Sequence, residues 1–247
     1  MNPIESQCRN GNEGLWAVVP VKLFAHTKRR LMPVLSCDER TTLTRAMLKD
    51  VLSALMRASC LAGVIIVTGE RSAAAMARAA GAVVMNDGEN TGMNAAVAQG
   101  ARRLAELRRS GMLAIPADVP WITAADVEAI ALAHRAAPSV TLVPASRDAG
   151  TNALACSPPL AISCHFGEHS LRKHREAARG EGITAGLLHL ERVGHDIDRP
   201  DDLAEFLLRP SPTQSYAYLI SSGIAERLRS VERHRGRRCV DREPAHD

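Results

Sequence analysis

Met112-Leu113-Ala114-Ile115-Pro116-Ala117-Asp118-Val119-Pro120 is an apolar run that closes on a single carboxylate held between two prolines. The apolar part reads as a buried strand, and the prolines stop it and present Asp118 on a stiff turn. In an open α/β sheet, ligands bind outside the carboxyl ends of the strands, which is where Asp118 would stand. Two readings are open: a metal seat, or an ordinary strand-to-helix turn with Thr123 as helix cap and Asp126 at its third helical position.

Outward from this segment, the chain alternates. A strand is expected at Leu15 to Val21, then a basic loop from Lys22 to Arg30. A helix follows from Asp38 to Ala58, where Leu43, Met47, Val51 and Leu55 recur at four-residue spacing. Next come a strand at Val64 to Val67, an Ala-rich helix at Ser72 to Ala80 stopped by Gly81, and a strand at Ala82 to Met85. A polar loop, Asn86 to Gly92, leads into a helix from Asn94 to Arg109. After Asp118 the pattern predicts a helix at Ala124 to Ala136 and strands at Val140 to Val143 and Ala153 to Cys156. A helix at Ser170 to Ala178, a strand around Leu187 to Leu190 and a helix at Asp201 to Leu208 complete it. Such alternation with short connections argues for a largely parallel sheet covered by helices on both faces.

Size and composition agree. The chain has 247 residues, room for one domain with an appended tail. Aromatic residues are only 3%, so the core must be built from Ala, Leu, Val and Ile, and little is left to stack nucleic-acid bases. No apolar run reaches the roughly 18 residues that a membrane span needs, and no signal segment opens the chain, so neither a membrane nor a nucleic acid is expected as partner and a cytoplasmic location is. The six cysteines (Cys8, Cys37, Cys60, Cys156, Cys164, Cys239) lack paired spacing and read as free thiols. The net charge of +4 gathers at Arg233, Arg235, Arg237 and Arg238. The organisation expected is a polar disordered leader at 1–13, one domain at 14–209, an appended helix at 210–229 and a basic disordered tail at 230–247. In the appended helix, Tyr216, Leu219, Ile220, Ile224 and Leu228 form an apolar stripe that could dock on the body or on a second copy in a homodimer.

Several segments could carry chemistry. The loop after the first strand brings Lys22, Lys28, Arg29 and Arg30 with no acid nearby, a position that faces bound phosphates in α/β sheets. It lacks the glycines of a Walker or dinucleotide loop. In Asp196-Ile197-Asp198, alternation sends both carboxylates the same way, and two that approach closely repel by roughly 4 kcal/mol at an effective dielectric of 20 unless a cation joins them. Asp201 and Asp202 fit the start of a helix. Gly150-Thr151-Asn152 could grip an oxyanion, and Gly167 to Ser170 opens a helix whose N-terminus attracts anions, although Ser170 also reads as a plain cap. Asn94 either reads a ligand or caps its helix. His165, His169 and His174 do not make a zinc site, since Gly167 interrupts any helix there and no acid accompanies them.

Taken in order, P-V-K-x5-K-x-R-L (Pro20 to Leu31), G-M-N-A-A (Gly92 to Ala96), P-A-D-V-P (Pro116 to Pro120), G-T-N-A-L (Gly150 to Leu154), F-G-x-x-S-x-x-x-H (Phe166 to His174) and D-I-D-x-P-x-D-L (Asp196 to Leu203) resemble the 2-phospho-L-lactate guanylyltransferase family of coenzyme F-420 biosynthesis. That family includes phosphoenolpyruvate and 3-phospho-D-glycerate guanylyltransferases. The resemblance covers residues 15 to 208 and implies a nucleotide-diphospho-sugar-transferase-like, Rossmann-like α/β fold with a mostly parallel mixed sheet. It implies a reaction joining GTP to a three-carbon phosphorylated acid with loss of diphosphate, using Mg2+. Carried over, Asp118 and Asp196 match the catalytic metal ligands, with Asp198 as the other candidate at the second acid. Lys22 matches the catalytic basic residue near the reacting phosphates. Thr151, Gly167 and Ser170 match the residues that hold the acid, and Lys28, Arg30 and Asn94 are expected at the substrates. Where the family carries a double glycine before G-T-N, this chain has Asp148-Ala149-Gly150. A molybdenum-cofactor guanylyltransferase would carry a glycine-rich first loop, which is absent; a noncatalytic nucleic-acid or regulatory binder using the Arg-rich tail is the reading from another class.

Overall fold

A computed structural model describes residues 14–87 and 92–230. The leader at 1–13, most of the basic tail and the middle of the Asn86 to Gly92 loop lie outside the described residues. The elements run β1 (Leu15–Val21), α1 (Cys37–Arg57), β2 (Leu61–Thr68), α2 (Arg71–Ala79), β3 (Val83–Met85), α3 (Met93–Glu106), β4 (Gly111–Ala114), α4 (Ala124–Ala133), β5 (Ser139–Pro144), β6 (Thr151–Ser157), α5 (Ser170–Gly180), β7 (Gly186–Leu187), α6 (Glu191–Gly194), α7 (Pro200–Leu208) and α8 (Gln214–Ser221). The strands form one seven-stranded sheet in the order β3-β2-β1-β4-β6-β5-β7. All neighbours pair in parallel except β6, which runs antiparallel to both β4 and β5. The sheet is therefore mostly parallel but mixed, with helices on both faces.

Alternation along β1 divides the core. Leu15, Ala17, Val19 and Val21 pack on one face with α1, α2 and α4, while Trp16 and Val18 pack on the other with α3 and α5. Gly100 lets α3 lie against β1, because a Cβ there would stand 2.6 Å from Val18. A third cluster lies beneath the loops at the carboxyl edge, where Leu31, Leu43, Met47, Trp121, Ile197 and Phe206 meet Leu219, Ile224 and Leu228.

The apolar stripe after Pro210 is thus covered by its own chain, apart from Ile220, which is exposed. It does not form one helix. α8 stops at Ser222, Gly223 takes a left-handed φ of +72°, and helix resumes over residues 224–230. The front of α8 is fixed by the buried Asp50 of α1, whose carboxylate accepts the amides of Gln214 (2.7 Å) and Ser215 (2.9 Å) and the Ser215 hydroxyl (2.6 Å).

Other bounds differ from the pattern: β2 begins at Leu61 rather than Val64, α3 ends at Glu106 rather than Arg109, α4 ends at Ala133 rather than Ala136, and α6 is an addition to it. The strand expected to Leu190 ends at Leu187, because it pairs only with edge strand β5 and the chain turns into α6 at Leu190. The helix expected from Asp201, α7, begins one residue early, at Pro200, whose missing amide suits a first helical position. Among the described residues Cys37, Cys60, Cys156 and Cys164 are free thiols. No helix among them is long and apolar enough to cross a membrane.

Candidate functional site

The site lies at the carboxyl edge of β1 and β4, and the reversed direction of β6 completes it. Ala114 pairs with Leu154, so the beginning of β6, Thr151 and Asn152, projects past the end of β4 toward Asp118. Asp118 follows the strand as expected, and the plain reading of its turn also holds. Thr123 and Asp126 form a capping box that starts α4. The backbone carbonyl of Asp118 accepts the amide of Ile197 at 3.0 Å, stitching the turn to the Asp196-Ile197-Asp198 segment. Ile197 is fully buried, and the acids on either side of it are half-buried.

Asp118, Asp196 and Asp198 each offer a carboxylate oxygen, and these atoms lie within 4.8 Å of one another. Each of the two later acids is held from behind. Asn152 donates its side-chain amide to Asp196 (3.0 Å) and to the carbonyls of Val193 (3.1 Å) and Gly194 (3.0 Å). Asp202, at the front of α7, accepts the amides of Asp198 (2.9 Å) and Arg199 (2.7 Å). The acids of Asp201-Asp202 thus serve the helix start, as their placement predicted, and Asp202 also fixes the backbone of Asp198.

The basic loop supplies the counter-charge. It folds as two short 3-10 turns, Phe24–His26 and Arg29–Leu31, with Lys28 between them in a left-handed conformation (φ +54°). The buried Lys28 ammonium lies 2.6 Å from Asp118 and 2.7 Å from Asp198. Burial alone would lower its pKa, but the two carboxylates outweigh burial and raise it. Asp198 is held below its usual range chiefly by Lys28, against its burial, with Arg30 and Lys22 adding. Asp196, which Lys28 does not touch, is pushed up to about 6 by burial and by the charge of Asp118. Arg30 reaches Asp198 at 3.6 Å from an exposed position, and Lys22 is exposed at the end of β1.

On the other side of β6 stand the residues expected at the acid. The loop before α5 turns at Gly167 (φ +114°) and His169 (φ +56°), with open space where a Gly167 side chain would be. Ser170 is the first residue of α5, not its cap, and is almost fully buried. The amide of Leu171 bonds the Ala149 carbonyl (3.0 Å), tying this loop to the β5–β6 turn. Asn94 neither caps α3, which Gly92 precedes, nor stands free. Its side chain donates to the Phe166 carbonyl (3.0 Å) and accepts the Phe166 amide (2.6 Å), bracing the loop. Buried His174 accepts the His165 amide on Nε2 (2.8 Å) and bonds Thr151 Oγ1 through Nδ1 (3.0 Å).

The three acids, the cations and the Thr151, Gly167 and Ser170 set are legible in the sequence. Their supports are not: Asn152 behind Asp196, Asp202 behind Asp198 and His174 behind Thr151. The only signal for Asn152 was its place in Gly-Thr-Asn. The distance from Asn152 to Asp196 along the chain hid their meeting.

A family profile described as "Guanylyl transferase CofC like" matches residues 15–243. Phosphoenolpyruvate guanylyltransferase of Rubrobacter xylanophilus is 37% identical over 77% of this chain and 92% of its own. The 3-phospho-D-glycerate guanylyltransferase of Phenylobacterium zucineum is 36% identical over 78% and 90%, and the 2-phospho-L-lactate guanylyltransferase of Methanothermobacter thermautotrophicus is 32% identical over 82% and 88%. In architecture the chain is similar to a protein described as a nucleotide-diphospho-sugar transferase, from Desulfovibrio desulfuricans. The TM-score is 0.68 at 16% identity, over 86% of this chain and 97% of that one. With an acidic triad at the carboxyl edge of a nucleotidyltransferase fold, and a profile match spanning most of its length, the chain belongs to the CofC-like guanylyltransferase family.

Proposed function

We propose that this protein joins GTP to a three-carbon phosphorylated acid, phosphoenolpyruvate, 2-phospho-L-lactate or 3-phospho-D-glycerate, in the cytoplasm as a step of coenzyme F-420 biosynthesis. The observation that carries the reading is the convergence of Asp118, Asp196 and Asp198 on one point, faced by Lys28 and flanked by Thr151 and the Gly167–Ser170 loop. Three hard oxygen donors, one of them with its pKa raised by burial and by the charge of Asp118, fit a magnesium ion. Asp118 and Asp196 would hold it with Asp198 beside them, and when bound it neutralises charge on the reacting phosphates.

The residues of this chain supply the rest. Thr151, Gly167 and Ser170 hold the acid so that a phosphate oxygen faces the α-phosphorus of GTP in line with the diphosphate. That oxygen forms the new P–O bond, the bond from the α-phosphorus to the bridging oxygen breaks, and its electron pair leaves with diphosphate. Lys22, Lys28 and Arg30 meet the charge growing on the leaving group. The attacking phosphate is already deprotonated near neutral pH, so no side chain has to serve as base. The catalytic unit is residues 14–209, with 210–229 as a brace.

Incubation with GTP, magnesium and each of the three acids in turn tests this. Diphosphate is expected with at least one acid; none with any of them would overturn the proposal.

A further inference from the structure

His174 is fully buried, lies one turn into α5 on the same face as Ser170, and uses both ring nitrogens. A backbone amide can only donate, so the His165 amide at 2.8 Å makes Nε2 an acceptor. The proton of the neutral ring is then on Nδ1, and it is given to Thr151 Oγ1 at 3.0 Å. Burial and the neighbouring His165 favour that neutral form, pushing its pKa down to about 4. The hydroxyl of Thr151 accepts from His174, and among the described residues nothing accepts from the hydroxyl in return.

We propose that His174 is a positioning residue for the phosphorylated acid: by donating Nδ1–H to Thr151 it fixes the threonine hydroxyl as a donor directed at the acid's anionic oxygens. This rests on the assignment of Thr151 to the acid. The threonine hydroxyl can rotate, and with its lone pair engaged from behind its proton is left for an acceptor in the site. The same ring holds the loop through His165, and Phe166 packs edge-on against it with ring centroids 5.1 Å apart. The two functions sit on different ring nitrogens, so isosteric half-replacements separate them. Asparagine places an amide near Nδ1 and can still donate to Thr151; glutamine places its carbonyl near Nε2 and can still accept from His165.

The experiment measures KM for the acid that the wild type turns over fastest, and KM for GTP, in His174→Gln, His174→Asn, Thr151→Val and the double variant T151V/H174Q. Loss of one hydrogen bond to an anion corresponds to about a tenfold rise in KM for the acid. That rise is expected in H174Q and in T151V, with KM for GTP within about twofold. H174N should stay near wild type, and the double variant should be no worse than T151V alone. A loop-bracing role alone predicts the reverse order, H174N impaired and H174Q spared, and that order would overturn the proposal, as would additive effects in the double variant. If H174Q does not fold, H174N against T151V decides: equal impairment of the two overturns it. If T151V leaves KM for the acid unchanged, the assignment of Thr151 itself fails; if T151V impairs it and H174Q does not, only the role of His174 fails.

Discussion

Lys28 shows how much of the site one side chain can decide. Its ammonium touches two of the three acids, and its burial prevents water from doing the same work. The sequence shows a cluster of cations after the first strand, and the family resemblance places Lys22 near the reacting phosphates. In the fold Lys22 is exposed at the end of β1, and the left-handed backbone of Lys28, between two 3-10 turns, directs its own side chain onto the acids. A turn of that kind is written in tertiary contacts, so spacing along the chain could not reveal it. Replacing Lys28 with Met removes the cation while keeping the apolar stem, leaving Asp118 and Asp198 to repel. Both carboxylates are partly open to solvent, so the loss should be about 1 to 2 kcal/mol rather than that of a sealed pair. For a domain of this size that is roughly 2 to 8 °C in Tm. Melted in a chelator, Lys28→Met should fall by that amount, and added magnesium should raise its Tm more than it raises the wild type's. An equal or smaller magnesium response in the variant would mean that Lys28 does not balance the triad.

At the scale of elements, the strands and helices were legible because their apolar periodicity is strong: β1 falls where expected, and α1 within a residue of it. The direction of β6 was not legible, since alternation along a strand says nothing about which way it runs. Yet that reversal carries Thr151 and Asn152 to the edge occupied by Asp118. The Thr151 and Asn152 contacts depend on it more than on any local motif. The end of the chain is a second case. Its apolar stripe was visible, but the partner was not, and the partner proves to be α1 and the cluster beneath the site loops. Asp50 is the anchor, a buried carboxylate that burial pushes above its usual pKa against three hydrogen bonds from Gln214 and Ser215. Asp50→Ala would leave two amides at the front of α8 unpaired, a cost of about 1 to 3 kcal/mol. Thermal melts should show Tm lower by several degrees, while kcat/KM of the folded enzyme stays within about twofold, since Asp50 touches no site residue. An unchanged Tm would show that α8 is held by its apolar face alone.

Across the whole molecule, the fold and the site depend on different kinds of information. Sheet and layers follow from pattern summed over many residues, and so survive local error. The site depends on single contacts between segments far apart in sequence, such as Asn152 with Asp196 and His165 with His174, and pattern averages over these. One such contact also marks how stability should respond to acid. His174 titrates near 6.5 in an unfolded chain and is pushed down to about 4 in the fold by burial and by His165. As pH falls, the unfolded chain takes up this proton first, so the stability tied to a neutral His174 is complete above about 6.5 and is lost as pH falls through about 4. Other groups titrate in the same window, so the contribution is read as a difference between two proteins. Denaturant unfolding of the wild type and H174Q, run in chelator at each pH from 7 to 4, should give curves that converge as the wild type loses stability relative to the variant. The relative loss should approach about 1.4 kcal/mol per pH unit and about 3 kcal/mol in all. Curves that stay parallel would mean that His174 accepts a proton in the folded protein as readily as in the unfolded chain, and that its ring is not confined to the neutral form its two hydrogen bonds require.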